Sequence, residues 1–215
     1  MTREELIKEV ALKMDEISSS DDVIVSVDIS DNNPLYTQID QLLNESINDV
    51  LMKAPIYRLD CQIESHLTYK TEDIFGGYRK KVVFEVPSDF IRIASITDEC
   101  FQRPIVDLSI EGDSIDKLQH NKFLVAKNAK PVAVLGRDID SKRIISCYSY
   151  NSSDNINPHL LYVKRYSDSN LHGETGLDDY LINLVSWVCA SKVFSAHGDV
   201  NGSKICDDNA ASLMI

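Results

Sequence analysis

The 215-residue sequence lacks the short motifs that mark nucleotide-binding proteins and many enzymes. It has no G-x-G-x-x-G or G-x-x-x-x-G-K-[ST] loop to cradle a phosphate, and no serine stands in a G-x-S-x-G elbow. The five histidines do not occur at metal-ligand spacing with one another or with a cysteine. We therefore predict no catalytic residue, no metal site and no cofactor.

Basic charge and long apolar runs are also scarce. No stretch of about 18 apolar residues exists, so we expect no membrane-spanning helix. Lys and Arg number 22 against 34 Asp and Glu, and the formal charge of -12 disfavours binding to nucleic-acid phosphates or to an anionic membrane. The N-terminal M-T-R-E-E-L-I-K-E-V carries acids where a secretion signal is basic and then apolar, which predicts a protein that stays in the cytoplasm where it is made.

Cysteine occurs five times without a C-x-x-C pair. An odd number of scattered cysteines is typical of reduced thiols and not of a disulfide framework. The positions are Cys61, Cys100, Cys147, Cys189 and Cys206. The hydrophobic share of 43% and the charged share of 26% are ordinary for a globular protein, so we expect one good core, or a smaller core with extensions.

Two amphipathic helices are predicted in the N-terminal part of the chain. Thr2 and Glu5 form a capping box, and the apolar stripe that follows ends near 18–20. Alternating valines in 21–33 predict a short strand or an arm. Pro34 then starts a second helix, which Pro55 stops. Its stripe consists of Ile39, Leu42, Leu43, Ile47, Val50 and Leu51.

Short β-branched and aromatic runs fill the middle of the chain. They predict an antiparallel β region, either a small sandwich or a curled sheet, with Gly76-Gly77 as one turn and 112–119 as a short helix. Pro87 separates two of these runs and predicts a corner that fixes the β region against the helices. The runs are 68–75, 80–86, 90–97, 104–110, 131–136, 143–149 and 160–166.

A last long helix is predicted from 176 onward, with Gly198 as its break and Gly202 as a weaker break. The segment 203–215 then ends on the apolar residues Leu213, Met214 and Ile215. It is either a frayed helix end, a segment that packs on its own β domain, or a tail that becomes ordered on a partner. We expect its deletion to leave a folded chain.

These elements predict an α+β fold, in which N-terminal and C-terminal helices form a bundle and an antiparallel β domain is inserted between them. The expected parts are a helix and arm at 1–33, the first bundle helix and a connection at 34–66, and the β domain at 67–167. The second bundle helix follows at 168–198, and a partner-docking segment occupies 199–215.

The order of these segments carries a resemblance. The helix I-D-Q-L-L-N-E-S-I-N-D-V-L-M-K-A-P at 39–55 precedes a β region that opens with V-V-F-E-V-P-S-D-F-I-R-I. This region continues with R-P-I-V, K-P-V-A, Y-S-Y-N-S and L-L-Y-V-K-R-Y. It is followed by the helix L-D-D-Y-L-I-N-L-V-S-W-V-C-A-S-K-V-F. From about residue 34 onward the chain resembles the head-to-tail adaptor, or connector ring, proteins of tailed bacteriophages, especially those of short-tailed and crAss-like phages.

The resemblance implies a structural protein of the virion and no enzyme. It implies a helical bundle beside a β domain and a homo-oligomeric ring of about a dozen copies at the portal vertex. The expected partners are the portal protein and further ring or tail proteins, and genomic DNA passes through the channel without specific binding. Leu213, Met214 and Ile215 are the expected anchors on the portal. An acidic ring would repel DNA and let it slide.

A hydrolase that uses two carboxylates brought together by folding is the alternative. Adjacent acids occur at Asp21-Asp22, Asp98-Glu99, Asp178-Asp179 and Asp207-Asp208. The simpler interpretation places such acids at helix starts and in solvated turns. A nucleic-acid-binding tail protein is a third possibility, which the acidic charge disfavours.

Overall fold

A computed structural model describes residues 1–18, 34–64 and 67–214 of the chain. The fold is α+β, with helices at both ends and a β region between them, as the sequence predicts. The helices are α1 Arg3–Ser18, α2 Pro34–Lys53, α3 Ser114–Gln119, α4 Asp179–Ala196 and α5 Val200–Leu213. The strands are β1 Cys61–Glu64, β2 Tyr69–Ile74, β3 Arg79–Glu85, β4 Phe90–Thr97, β5 Leu108–Ile110, β6 Ala133–Arg137, β7 Arg143–Asn151 and β8 His159–Lys164. The predicted arm at 21–33 lies outside the described residues.

The chain divides into two compact units. The first, here called the helical unit, comprises Met1–Leu59 and Arg165–Ile215 and contains α1, α2, α4 and α5. The second, the β unit, comprises Asp60–Lys164 and contains all eight described strands together with α3. The helical unit is therefore discontinuous in sequence, because the β unit is inserted between its two parts.

Helix α4 is the centre of the helical unit and packs against α1, α2 and α5. Buried residues occur around most of its circumference, including Leu181, Leu184 and Val185, which is typical of a helix enclosed by others. Helices α1 and α2 instead bury one stripe each, in agreement with their sequence periodicity. The buried stripe residues are Leu6, Val10 and Met14 on α1, and Ile39, Leu43, Ile47, Val50 and Leu51 on α2.

A buried arginine joins three segments of the helical unit. The Arg3 side chain donates to the Asp40 carboxylate at 2.7 Å, to Asn44 Oδ1 at 2.5 Å and to the carbonyls of Asp40 and Asp168 at 2.9 Å. The predicted capping box is present beside it, because the backbone N–H of Thr2 donates to Glu5 and the N–H of Glu5 donates to the Thr2 hydroxyl. The start of α1 is thus held to α2 and to the chain that precedes α4.

The β unit contains two sheets. The three-stranded sheet has the order β1-β8-β4 and is antiparallel, and the five-stranded sheet has the order β2-β3-β7-β6-β5. The prediction of an antiparallel region is wrong for one pair, because β5 and β6 are parallel. The connection between them includes α3 and returns the chain to the same end of the sheet, which a tight hairpin cannot do.

One hydrophobic cluster holds both sheets together. Val82, Phe84 and Ile145 of the five-stranded sheet share it with Ile96 and Leu160 of the three-stranded sheet, and all five side chains are buried. Such a shared core is typical of two sheets packed face to face. Of the two predicted forms, the small sandwich therefore describes the β unit better than a single curled sheet.

The proline corner connects the two sheets. Strand β3 ends at Glu85 in the five-stranded sheet, and β4 begins at Phe90 in the three-stranded sheet. The backbone N–H of Phe90 donates to the Pro87 carbonyl at 3.0 Å, which closes the turn. The corner therefore joins the two sheets inside the β unit, and its predicted role against the helices stays a prediction.

Among the residues that the structure describes, no helix is both long and apolar enough to cross a membrane.

Candidate functional site

The C-terminal segment predicted to bind a partner is a helix in this single chain. Helix α5 begins after Gly198, whose φ of +78° ends α4, and the Asp199 side chain caps it by accepting from the N–H of Gly202 at 2.9 Å. Gly202 was expected to break the helix and instead lies in its first turn. The segment therefore does not need a partner to become helical.

Helix α5 packs on α4 through small residues. Gly202, Cys206 and Ala210 are buried at intervals of four, so they share one face. A Cβ at Gly202 would lie 2.9 Å from the Phe194 ring, which explains why glycine occupies this position. The Ser203 hydroxyl is also 2.8 Å from that of Ser195 on α4. Deleting 203–215 would expose this face of α4, so we expect the truncated chain to be less stable than the full chain.

The predicted anchor residues lie at the end of this helix. Leu213 is the last residue of α5, Met214 follows it, and both side chains are half-buried. The Tyr180 hydroxyl donates to the Leu213 carbonyl at 3.0 Å, and the Arg58 guanidinium lies 5.2 Å from the Tyr180 ring centre. Ile215 lies outside the described residues. Their role in partner binding stays a prediction.

Sequence reasoning missed both Tyr180 and the exposed face of α5. Val200 is 75% exposed and Ile205 is 46% exposed, and Asp207 and Asp208 are exposed on the same helix. These residues form the α5 surface, the name used below for Val200, Ile205, Asp207 and Asp208. It combines two apolar side chains with two carboxylates that have no described ion-pair partner. In the sequence, the α5 surface is marked only by a mixture of polar and apolar residues, which a loop would also show.

Charge is distributed unevenly between the two units. The helical unit holds 8 of the 22 Lys and Arg and 19 of the 34 Asp and Glu, which gives it a formal charge of -11. The β unit holds the other 14 Lys and Arg and the other 15 Asp and Glu, so its formal charge is close to zero. Almost all of the net negative charge of the chain therefore belongs to the helical unit.

The carboxylate that best fits the hydrolase alternative is Asp98, which is 7% exposed. It accepts hydrogen bonds from the Tyr150 hydroxyl at 3.1 Å, from the backbone N–H of Asn157 at 2.8 Å, and from the backbone N–H and the thiol of Cys100 at 3.1 Å. Burial raises the pKa of Cys100 and of Tyr150, and the neighbouring Asp98 raises both further. Both groups therefore remain neutral donors, and Asp98 acts as a hydrogen-bonding centre of the β unit.

The other adjacent acids have separate positions. Asp178 caps α4 by accepting from the N–H of Leu181 at 2.8 Å, and Asp207 and Asp208 are exposed on α5. Asp21 and Asp22 lie outside the described residues. No group of three or more His, Cys, Asp and Glu side chains in the described ranges is arranged to hold a metal ion.

An open groove of about 1200 Å³ lies on one face of the five-stranded sheet. Val83 and Ile144 are part of its lining, together with the ion pair between Lys142 and Glu85, whose Nζ and Oε1 are 2.8 Å apart. The fully exposed Ile139 stands at the tip of the β6–β7 hairpin beside it. A groove this wide, with charges of both signs, suits a segment of a macromolecule better than a small metabolite.

No protein-family model matches the chain, and a search of curated proteins finds no match for it.

Proposed function

We propose that this protein is a structural component of a tailed-phage virion, a head-to-tail connector ring docked on the portal vertex that continues the DNA channel toward the tail. The observation that carries the proposal is the discontinuous helical unit: helices from both ends of the chain pack together, and a β sandwich is inserted between them. The resemblance described above implies this arrangement, a helical bundle beside an inserted β domain.

The uneven charge supports a specific orientation in the ring. A channel wall that lets DNA slide must not bind phosphates, and the helical unit has a charge of -11 against about -1 for the β unit. We assign the channel side to the helical unit. The helical units of a ring of about a dozen copies would then carry roughly -130 charges in total, part of them along the wall.

The α5 surface and the anchor residues supply the portal contact in this proposal. Val200 and Ile205 are exposed apolar side chains on a helix that its own chain already fixes, so little ordering is needed when a partner binds. Leu213 and Met214 add two half-buried apolar side chains at the end of the helix, and Ile215 stays a predicted anchor. The partner is a protein surface with an apolar patch.

The first test is the amount of the protein in purified virus particles from its source, measured by quantitative mass spectrometry against the major capsid protein. A fixed number of copies, on the order of a dozen per particle, is expected for a connector ring. Absence from the particles would refute the proposal.

The second test changes the α5 surface without changing the core. Ile205→Asp should prevent incorporation into particles, because it places a charge in the apolar contact. Leu12→Asp is the matched control, because Leu12 is 57% exposed on α1 and lies outside the α5 surface. Fluorescence of Trp187 in α4 shows that each variant is folded. Equal incorporation of both variants would exclude the α5 surface as the contact.

A further inference from the structure

Strand β2 is an open edge of the five-stranded sheet. It pairs with β3 on one side, and its other side makes no backbone hydrogen bond to any residue in the described ranges. Five of its six residues, Tyr69 to Asp73, are exposed. An edge strand with free N–H and C=O groups is a template for pairing with another strand.

The opposite edge of the same sheet is short and partly closed. Strand β5 has only three residues, and the N–H of Ile110 donates to the Asp113 carboxylate at 3.1 Å. The Ile110 carbonyl accepts from the N–H of Asp113 at 3.1 Å, so this turn occupies both backbone groups of Ile110. A short strand and an occupied end are two ways in which proteins avoid unwanted strand pairing, and the longer β2 edge has neither in the described residues.

The sequence of β2 is complementary to itself. When two antiparallel β2 strands pair with Thr71 opposite Thr71 of the second copy, Lys70 lies opposite Glu72 of that copy, and the pair occurs twice. Residues 70 and 72 point to the same face of a strand, so a twofold axis perpendicular to the sheet permits this register. Glu72 already forms an ion pair of 2.8 Å with Lys81 on that face, and Lys70 would bring a second cation to it.

We propose that the β2 edge binds a second copy of this chain, by antiparallel β2–β2 pairing centred on Thr71, and that the two five-stranded sheets become one sheet of ten strands. This inference does not rest on the connector role. The two paired copies run in opposite directions, whereas copies in a ring share one direction, so the dimer is a form of the protein outside the ring.

The expected dimer is weak. A six-residue strand is about 20 Å long, and its edge alone buries less than the roughly 1,600 Å² of a standard interface. We expect a dissociation constant in the micromolar range or above, so sedimentation velocity of the full chain should span about 5–500 μM. The parent should show a monomer that converts to a dimer as its concentration rises.

Charge reversal tests the register directly. Lys70→Glu or Glu72→Lys alone places like charges opposite each other twice, and each variant should dimerise more than about tenfold less tightly than the parent. An equimolar mixture of the two variants restores opposite charges in both pairs, so a heterodimer should form. The double variant Lys70→Glu/Glu72→Lys should dimerise like the parent.

A control reversal keeps the test specific. Lys164→Glu changes a partly exposed ion pair between Asp89 and Lys164, which lies on β8 in the three-stranded sheet, and should leave dimerisation unchanged. Circular dichroism confirms the fold of each variant. A parent that stays monomeric, a dimer insensitive to both reversals, or a mixture that remains monomeric would each overturn the proposal. None of these outcomes bears on the particle measurements, which test the connector role separately.

Discussion

Replacing Arg3 with alanine removes a buried guanidinium that joins α1, α2 and the chain before α4. The Arg3 side chain is 3% exposed and makes four hydrogen bonds, one of them within an ion pair with Asp40. A charge-assisted hydrogen bond contributes about 1.5–3 kcal/mol, but the Asp40 side chain is 40% exposed and regains water when its partner is lost. We therefore expect a loss of about 3 kcal/mol in the free energy of unfolding.

Urea unfolding followed by tryptophan fluorescence measures this loss of stability in the helical unit. Trp187 is the single tryptophan of the chain and lies in α4, with the Lys13 ammonium 5.1 Å from its ring centre. Arg3→Lys should lose about 2 kcal/mol, because an ammonium keeps the charge but cannot donate in the directions of the guanidinium fork.

Lys8→Ala is the control on the same helix. Lys8 forms an i,i+4 ion pair with Glu4 in solvent, and its loss should leave the unfolding midpoint unchanged. If the free energy of unfolding of the Arg3→Ala variant is within about 0.5 kcal/mol of the parent value, the conclusion that the Arg3 hydrogen bonds hold the helical unit together is refuted.

Three further changes test other parts of the fold. Gly202→Ala should destabilise the helical unit by about 1 kcal/mol in urea unfolding, because the contact with Phe194 outweighs the better helix propensity of alanine, and a more stable variant would contradict the packing argument. Asp98→Ala should destabilise the β unit by about 3 kcal/mol and speed hydrogen exchange at the N–H of Asn157, whereas unchanged exchange would argue against the role of Asp98. Burial raises the pKa of Cys189 to about 11, so only about one Cys189 thiol in a thousand is ionised at pH 8. Alkylation of Cys189 in the native state should therefore be far slower than in urea, and fast labelling of the native protein would contradict this.

Helix α2 was predictable because its local signals agree with its tertiary role. Pro34 begins the helix as expected, Pro55 follows two residues after its end at Lys53, and the apolar stripe is the buried one. The strands β2, β3, β4 and β7 also match their predicted runs closely. Periodicity and proline positions act within one element, and a single sequence contains them in full.

Strand pairing was harder to predict, because it joins residues far apart in sequence. Strand β1 was missed, since a four-residue edge strand has too few positions for alternation to be visible. The parallel pairing of β5 with β6 depends on where α3 leads the chain, which no local pattern records. The grouping of the strands into two sheets likewise depends on the corner at Pro87.

The C-terminal helix shows why the candidate site could be predicted only in part. Buried Gly202 and Ala210 look like loop or linker residues in a sequence, yet they are small because α5 packs closely on α4. The anchors Leu213 and Met214 were identified by their apolar character alone. The α5 surface became visible only when the buried face of the helix was known.

The discontinuous helical unit has a consequence for the order of events on the ribosome. Helices α1 and α2 emerge first, but α4, against which both pack, follows only after the whole segment Asp60–Lys164 has been synthesised. At synthesis rates of about 5–20 residues per second, the two helices must wait roughly ten seconds before α4 can cover their apolar stripes. During that interval α1 and α2 have only each other to pack against, so the nascent chain exposes apolar surface that a chaperone could bind, and the β unit can complete its fold before the helical unit does.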